Sequence, residues 1–291
     1  MPGEDKRSIS RILSRLTEVF ERAGIETPRL DAEVLLGFCL GKERADLYRD
    51  LSVELDDEQI SRVLELTGRR KRREPMAYIR GFREFRSLNF IVTPSVLVPR
   101  PETEFLVEEV LRLRDSYRGS RPRILDIGAG SGAVGIAVAS EWPDADIVAT
   151  EFSAAALEVA CKNAGRLLGP DHKITFVQGD LYQGVEGDFD IVCSNPPYIS
   201  EAEYATLARE VTLYEPRQAL VAGPDGTEFH RRIAEGACER LKPGGWLLME
   251  MGAEQRAALT AFMEETKIFN DIRFRADYAG LDRVVIAKRK H

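Results

Sequence analysis

Four short apolar runs, "RILDIG" (123–128), "ADIVAT" (145–150), "KITFVQ" (173–178) and "FDIVCSN" (189–195), alternate with segments of helical character. Runs this short and this apolar suit strands buried on both faces, and strands divided by helices pair in parallel. The pattern predicts a parallel sheet covered by helices on both sides. Val134, Ile136 and Val138 mark the helix after the first strand, and another starts from Ser153. A fifth strand, "GWLLMEMG" (245–252), follows a helix ending at "LKPGG", and "NDIRFRAD" and "RVVIAK" predict two late strands.

The first 75 residues read differently. Ile9, Leu13, Leu16 and Phe20 recur at helical spacing before Gly24. A second helix opens on Thr27 as N-cap with Pro28 at its first position and closes on Gly41. A third runs from about Asp57, carries Ile60, Val63, Leu64 and Leu66, and is ended by Pro75; its acidic start and basic finish suit the helix dipole. From Met76 to Val98 the residues alternate apolar and polar, as in a β-hairpin. The sequence therefore predicts a helical domain over 1–75, a hairpin linker over 76–98 and an α/β domain over 99–291, with the boundary near residue 95.

A net charge of −7 argues against attraction to nucleic acid through the global field. The basic run Arg69 to Arg73 reads either as a patch for an RNA-rich or acidic partner or as a solvated helix end. The sequence shows no apolar leader at its start and no run near the roughly 20 apolar residues of a membrane span, so a cytoplasmic protein is expected. Cys39, Cys161, Cys193 and Cys238 lie far apart and are expected as reduced thiols, with neither disulfides nor a metal site. His172, His230 and His291 are equally scattered; they are expected at the surface, without a chemical role.

Chemistry concentrates at the ends of the predicted strands. In "DIGAGSGAVG" the glycines Gly128, Gly130 and Gly132 allow a tight turn and let a ligand lie against the backbone. Glu151 ends the second strand about 20 residues on, placed to accept ribose hydroxyls. Gly128, Gly130 and Ala133 also satisfy a dinucleotide fingerprint, so a nicotinamide oxidoreductase stays open at this point. Asp126 could orient the loop or meet a cofactor's amino group. Asp180, from the third strand end, suits the amine of adenine, with Leu181 covering the ring.

Asn195, Pro196, Pro197 and Tyr198 follow the fourth strand, which would pair beside the first across the switch point of strand order. The prolines stiffen the backbone and hold Asn195 out of helical geometry. The Asn195 side-chain oxygen and a proline carbonyl make two fixed acceptors, and Tyr198 adds a flat face. Together they suit a planar NH₂ group whose nitrogen turns towards a methyl sulfonium. Orientation of this kind supplies roughly 7–11 kcal/mol in favourable cases. No dedicated base is evident.

The combination of "NPPY" with "DIGAGSG" resembles the class I S-adenosylmethionine-dependent amino-methyltransferases. With "YIRGFREFRSLNFIVTPSVLVPRPETE", "YEPRQALVAGPDG", "LKPGGWLLMEMGAEQ" and "DYAGLDRVVIAKR" the chain is more closely similar to the peptide chain release factor N5-glutamine methyltransferase (HemK/PrmC) family. The resemblance implies a seven-stranded Rossmann-like methyltransferase sheet and a small all-helical domain that docks release factors, joined by a hairpin. It implies S-adenosylmethionine as methyl donor, without metal, and the Gly-Gly-Gln glutamine of class I release factors as substrate. Gly128, Ala129, Gly130, Ser131 and Gly132 would hold the methionine part, Glu151 the ribose, and Asp180 and Leu181 the adenine. Asn195 and Pro196 would grip the glutamine amide beside Pro197, Tyr198 would shape the slot, and Thr103 could line the pocket or cap a helix. Two other readings remain: a nucleic-acid amino-methyltransferase, which shares the same four residues, and a non-catalytic adaptor for release factor.

Overall fold

In the computed structural model, which describes residues 7–291, the expected strands assemble into one sheet. It comprises β3 (Arg123–Ile127), β4 (Asp146–Glu151), β5 (Ile174–Gln178), β6 (Phe189–Ser194), β7 (Leu241–Glu250), β8 (Phe269–Ala276) and β9 (Asp282–Arg289). The order is β5-β4-β3-β6-β7-β9-β8, with β9 antiparallel to both neighbours and the other pairs parallel. Strand order reverses between β3 and β6, and this switch point opens a crevice at the carboxyl ends. Both faces are covered. One carries α6 (Thr103–Arg112), α7 (Ala133–Glu141) and α8 (Ala154–Leu168), packed through Leu106, Ile136 and Ala164. The other carries α11 (Glu228–Arg240) and α12 (Arg256–Glu265), packed through Ile233, Leu259 and Met263.

The hairpin is shorter than the sequence predicts. Pro75 and Gly81 (φ 79°) bracket a short helix, α5 (Met76–Arg80), and only β1 (Phe82–Phe85) and β2 (Leu88–Ile91) form the hairpin. Phe85 and Phe90 are buried with Leu106 and Ile124. From α8, Asn163 accepts the N–H of Ile91 at 2.7 Å and donates to its carbonyl at 3.0 Å. Contacts accordingly divide the chain between Gly81 and Phe82, not near residue 95: the α/β unit is Phe82–Leu207 with Glu215–His291.

The helical unit runs to Gly81 and also includes Ala208–Tyr214, from the far part of the sequence. Its core joins Ile9, Leu13, Leu16 and Phe20 of α1 (Ile9–Arg22) to Leu35 and Leu36 of α2 (Pro28–Leu40) and to Val63 and Leu66 of α4 (Asp57–Lys71). A further helix, α3 (Arg44–Arg49), lies between α2 and α4 in the sequence. Thr27 precedes Pro28 as expected, but its hydroxyl donates to Asp31 instead of capping the backbone.

The basic run at the end of α4 is mostly occupied within this unit. Arg69 pairs with Glu74, and Arg70 with Asp31 at 2.6 Å and Glu210 at 3.2 Å. Arg73 pairs with Glu210 at 3.3 Å and donates to the Gly24 carbonyl. Glu210 lies on α10 (Arg209–Tyr214), the second short helix after β6; the first is α9 (Glu201–Tyr204). Lys71 and Arg72 alone are exposed. The run is a clasp for the returning segment, neither a free patch nor a solvated end. His230 also departs from expectation: it is fully buried. No described helix is long and apolar enough to cross a membrane.

Candidate active site

Ile127 and Ser194 pair at the ends of β3 and β6, and the Ser194 hydroxyl donates to the Ile127 carbonyl at 2.8 Å. Gly128 and Asn195 therefore leave the sheet side by side. Beyond them lies a cleft of about 350 Å³, and Gly128, Ala129, Gly130, Ser131, Glu151, Asp180, Leu181, Asn195, Pro196 and Pro197 all line it. The sequence reading is gathered into one place, with Gly132 and Tyr198 left outside.

The glycine loop is tied down from both sides. Gly128 and Ala129 donate to the Thr150 carbonyl at 2.8 and 2.9 Å. Gly130 (φ 56°) donates to Oε2 of Glu151 at 2.9 Å, while Oε1 accepts from Ser153 at 2.8 Å. Each oxygen keeps a lone pair for a ligand hydroxyl. Gly132 (φ 81°) instead caps α7, where a Cβ would meet Ile136 at 2.7 Å. Asp126 is buried outside the cleft and accepts the Gly135 N–H at 2.9 Å, which is the loop-orienting role. Burial pushes its carboxyl up to about 7, partly offset by that N–H and reinforced by Glu151.

At the far wall, Asp180 pairs through Oδ2 with Arg232 of α11 at 2.6 Å. Leu181 takes a left-handed conformation (φ 51°) beside it. Phe152 also lines the cleft, although 67% of its surface is exposed. Sequence reasoning missed Phe152, Phe229 and Arg232. The first had a signal, an aromatic directly after the acid that ends a strand. Phe229 and Arg232, one helical turn apart, reach the cleft only through the docking of α11.

Asn195 is half-buried and donates through Nδ2 to Thr103 Oγ1 at 3.0 Å. Thr103 is buried on the first turn of α6 and lines the cleft. Tyr198 is not among the residues that line the cleft: its hydroxyl donates to Oε1 of Glu250 at 3.2 Å and its carbonyl accepts from Gln255 at 2.9 Å. Glu250, at the end of β7, is buried, and its carboxyl is pushed up to about 7 by desolvation, partly offset by the hydroxyls of Thr103 and Tyr198. Oε2 of Glu250 has no hydrogen-bond partner. The Glu250 carbonyl lies 2.7 Å from Nε2 of His230, whose pKa burial lowers to about 4, so the ring is neutral.

Comparison with known proteins agrees with this architecture. The PrmC N-terminal domain family matches residues 11–81, and the methyltransferase small domain family matches residues 101–224. Among solved structures, the fold is similar to that of the hMettl16 catalytic domain in complex with MAT2A 3'UTR hairpin 6. The TM-score is 0.56 at 16% identity, covering 81% of this chain and 83% of that one. Sheet order and cleft thus define a Rossmann-like methyltransferase. The chain is 40% identical over 283 residues to the release factor glutamine methyltransferase of Rhodopirellula baltica, covering 96% of this chain and 95% of the relative. It is 40% identical over 280 residues to that of Geobacter sulfurreducens, with 96% and 95% covered. The chain belongs to the release factor glutamine methyltransferase family, and with it to the protein-glutamine methyltransferases.

Proposed function

We propose that the protein transfers a methyl group from S-adenosylmethionine to the side-chain amide nitrogen of the Gly-Gly-Gln glutamine of class I release factors, in the cytoplasm and without metal. The observation that carries this reading is the state of Asn195. Its NH₂ end is committed to Thr103, which leaves Oδ1 as an acceptor on the wall that follows the glycine loop.

The cleft suits the donor's chemistry. The free lone pairs of the Glu151 carboxylate match a ribose diol, and Oδ1 of Asp180, not used by Arg232, matches the adenine amine. Phe152 and Leu181 offer apolar cover for the ring, while the backbone of Gly128 to Ser131 lies open to the methionine part. When bound, the donor supplies an electrophilic methyl on a sulfonium.

The chain's own part is to hold the nucleophile. An amide nitrogen attacks poorly because its lone pair is delocalised. Oδ1 of Asn195 and the Pro196 carbonyl accept its two N–H bonds, align the nitrogen and stabilise the positive charge that develops there. The methylated nitrogen is acidic and gives up its proton without a dedicated base. Tyr198, two residues after Pro196, is held by its hydroxyl on Glu250. Within the basic run, Arg69, Arg70 and Arg73 are paired internally, which favours a protein substrate over a nucleic acid.

Mass spectrometry of the release factor peptide after incubation with the protein and S-adenosylmethionine tests the proposal. One added methyl on the Gly-Gly-Gln glutamine, absent with Asn195→Ala, is expected. An unmodified glutamine with the wild-type protein overturns it.

A further inference from the structure

We propose that Gln255 is a positioning residue for methyl transfer: through the main chain of Tyr198 it fixes the carbonyl of Pro196, the second acceptor for the substrate amide. The inference rests on the function proposed above.

Three segments of the α/β unit meet at the Gln255 side chain. Its Nε2 donates to the Tyr198 carbonyl at 2.9 Å and to the Gly226 carbonyl at 3.0 Å, and its Oε1 accepts the Gly252 N–H at 2.9 Å. Tyr198 follows β6, Gly226 precedes α11 and Gly252 follows β7. Two carbonyls and one N–H call for two donors and an acceptor on a single group, and a primary amide carries that set. A carboxylate has no donor, and a guanidinium or ammonium has no acceptor. Gly226 shows how closely the segments approach. At its φ of 71°, a Cβ would collide with the Tyr198 carbonyl and lie 2.8 Å from Nε2 of Gln255.

The constraint reaches the cleft because the chain between is stiff. At one end Asn195 follows β6 and is bonded to Thr103 at 3.0 Å. At the other, Gln255 holds the Tyr198 carbonyl. The next residue, Ile199, donates its N–H to the Leu220 carbonyl and accepts from the Ala222 N–H, each at 2.9 Å. Between these anchors lie Pro196 and Pro197, whose rings fix φ. Few torsions remain free between the carbonyls of Pro196 and Tyr198, so holding one sets the direction of the other. Pro196 and Pro197 line the cleft and Gln255 does not, so Gln255 acts on the substrate only through this chain. An acceptor aimed at a nitrogen that becomes positive contributes most in the transition state, and its loss is read in kcat.

Gln255→Met and Gln255→Glu test the arrangement, because both keep the length of the side chain. The first removes all three hydrogen bonds, and the second sets a carboxylate against two carbonyls. Both are expected to lower kcat on release factor at least about tenfold, while calorimetric affinity for S-adenosylmethionine stays within about threefold. Hydrogen exchange of the Ile199 N–H reads the same arrangement without activity. Its partner is Leu220, not Gln255, so faster exchange in the variants reports a loosened segment. Unchanged kcat or unchanged Ile199 exchange in both variants overturns the inference, as does a loss of kcat that only follows a loss of melting temperature and donor affinity. A wild type that fails to methylate release factor overturns the proposed function instead, and the exchange measurement still decides whether Gln255 holds the segment.

Discussion

Gly130 donates its backbone N–H to Oε2 of Glu151 at 2.9 Å, so the acid that faces the cleft also fastens the glycine loop. The other oxygen holds Ser153. Hydrogen bonds to a charged group contribute about 1.5–3 kcal/mol each. Glu151→Ala is expected to weaken S-adenosylmethionine binding at least about tenfold, through loop disorder as well as lost ligand contacts. Glu151→Gln, which keeps one acceptor oxygen, should fall between. Isothermal calorimetry measures both, and full affinity in Glu151→Ala would refute the fastening role.

Asn163 is fully buried and joins the hairpin to the glycine loop, bonding both backbone groups of Ile91 and the carbonyl of Ser131 at 2.9 Å. Asn163→Ala leaves one N–H and two carbonyls, buried or half-buried, without their side-chain partner. A loss of about 3 kcal/mol in urea denaturation is expected, since each orphaned buried group costs about 1–3 kcal/mol.

Asp126 gives the protein a pH signature. In the unfolded chain its carboxyl titrates near the ordinary aspartate value of 3.8, whereas burial raises it to about 7 in the fold. Between these values the folded state keeps a proton that the unfolded state has released. Stability from this group is thus present at low pH and lost as pH rises, by up to about 1.4 kcal/mol per pH unit. Glu250 acts in the same direction, and His230, lowered to about 4, acts in the opposite one. Both remain in Asp126→Asn, so comparison with the wild type isolates Asp126. Melting temperatures between about pH 5 and 8 should show the variant gaining on the wild type as pH rises. Parallel curves would contradict the assignment.

Glu210 is the acceptor that Arg70 and Arg73 share. Glu210→Ala leaves Arg73 without its only carboxylate partner among the described residues, while Arg70 retains Asp31. Removing one side of a largely buried pair costs about 3–5 kcal/mol at the extreme. Faster hydrogen exchange across Ala208–Tyr214 is expected, with the sheet unaffected. Protection that survives the substitution would rule out the clasp.

The strand ends were readable because their chemistry is local. A glycine loop, an acid closing the next strand and an asparagine before two prolines carry their meaning within a few residues, and the parallel pairing of β3 with β6 brings them together. Tyr198 was misplaced in the cleft for a related reason: adjacency in "NPPY" says nothing of which way the ring turns once Gln255 and Glu250 claim its carbonyl and hydroxyl. Glu250 went unread at the end of an apolar strand, where the hydroxyl that reaches it comes from Tyr198, in the segment after β6. The arginine run had the same difficulty, since its acid lies 140 residues away. The α5 error was avoidable, because Pro75 before and Gly81 after are local helix boundaries.

Ala208–Tyr214 lies in sequence between Pro197 and Pro216, two residues of the cleft wall, yet it folds with the N-terminal helices. The helices are thus no detachable appendage. A gene fragment beginning at the hairpin would encode a catalytic half with an orphaned stretch that has lost its host, and one ending there would leave the arginine clasp empty. Any replacement of the N-terminal helices would have to carry Ala208–Tyr214 with it.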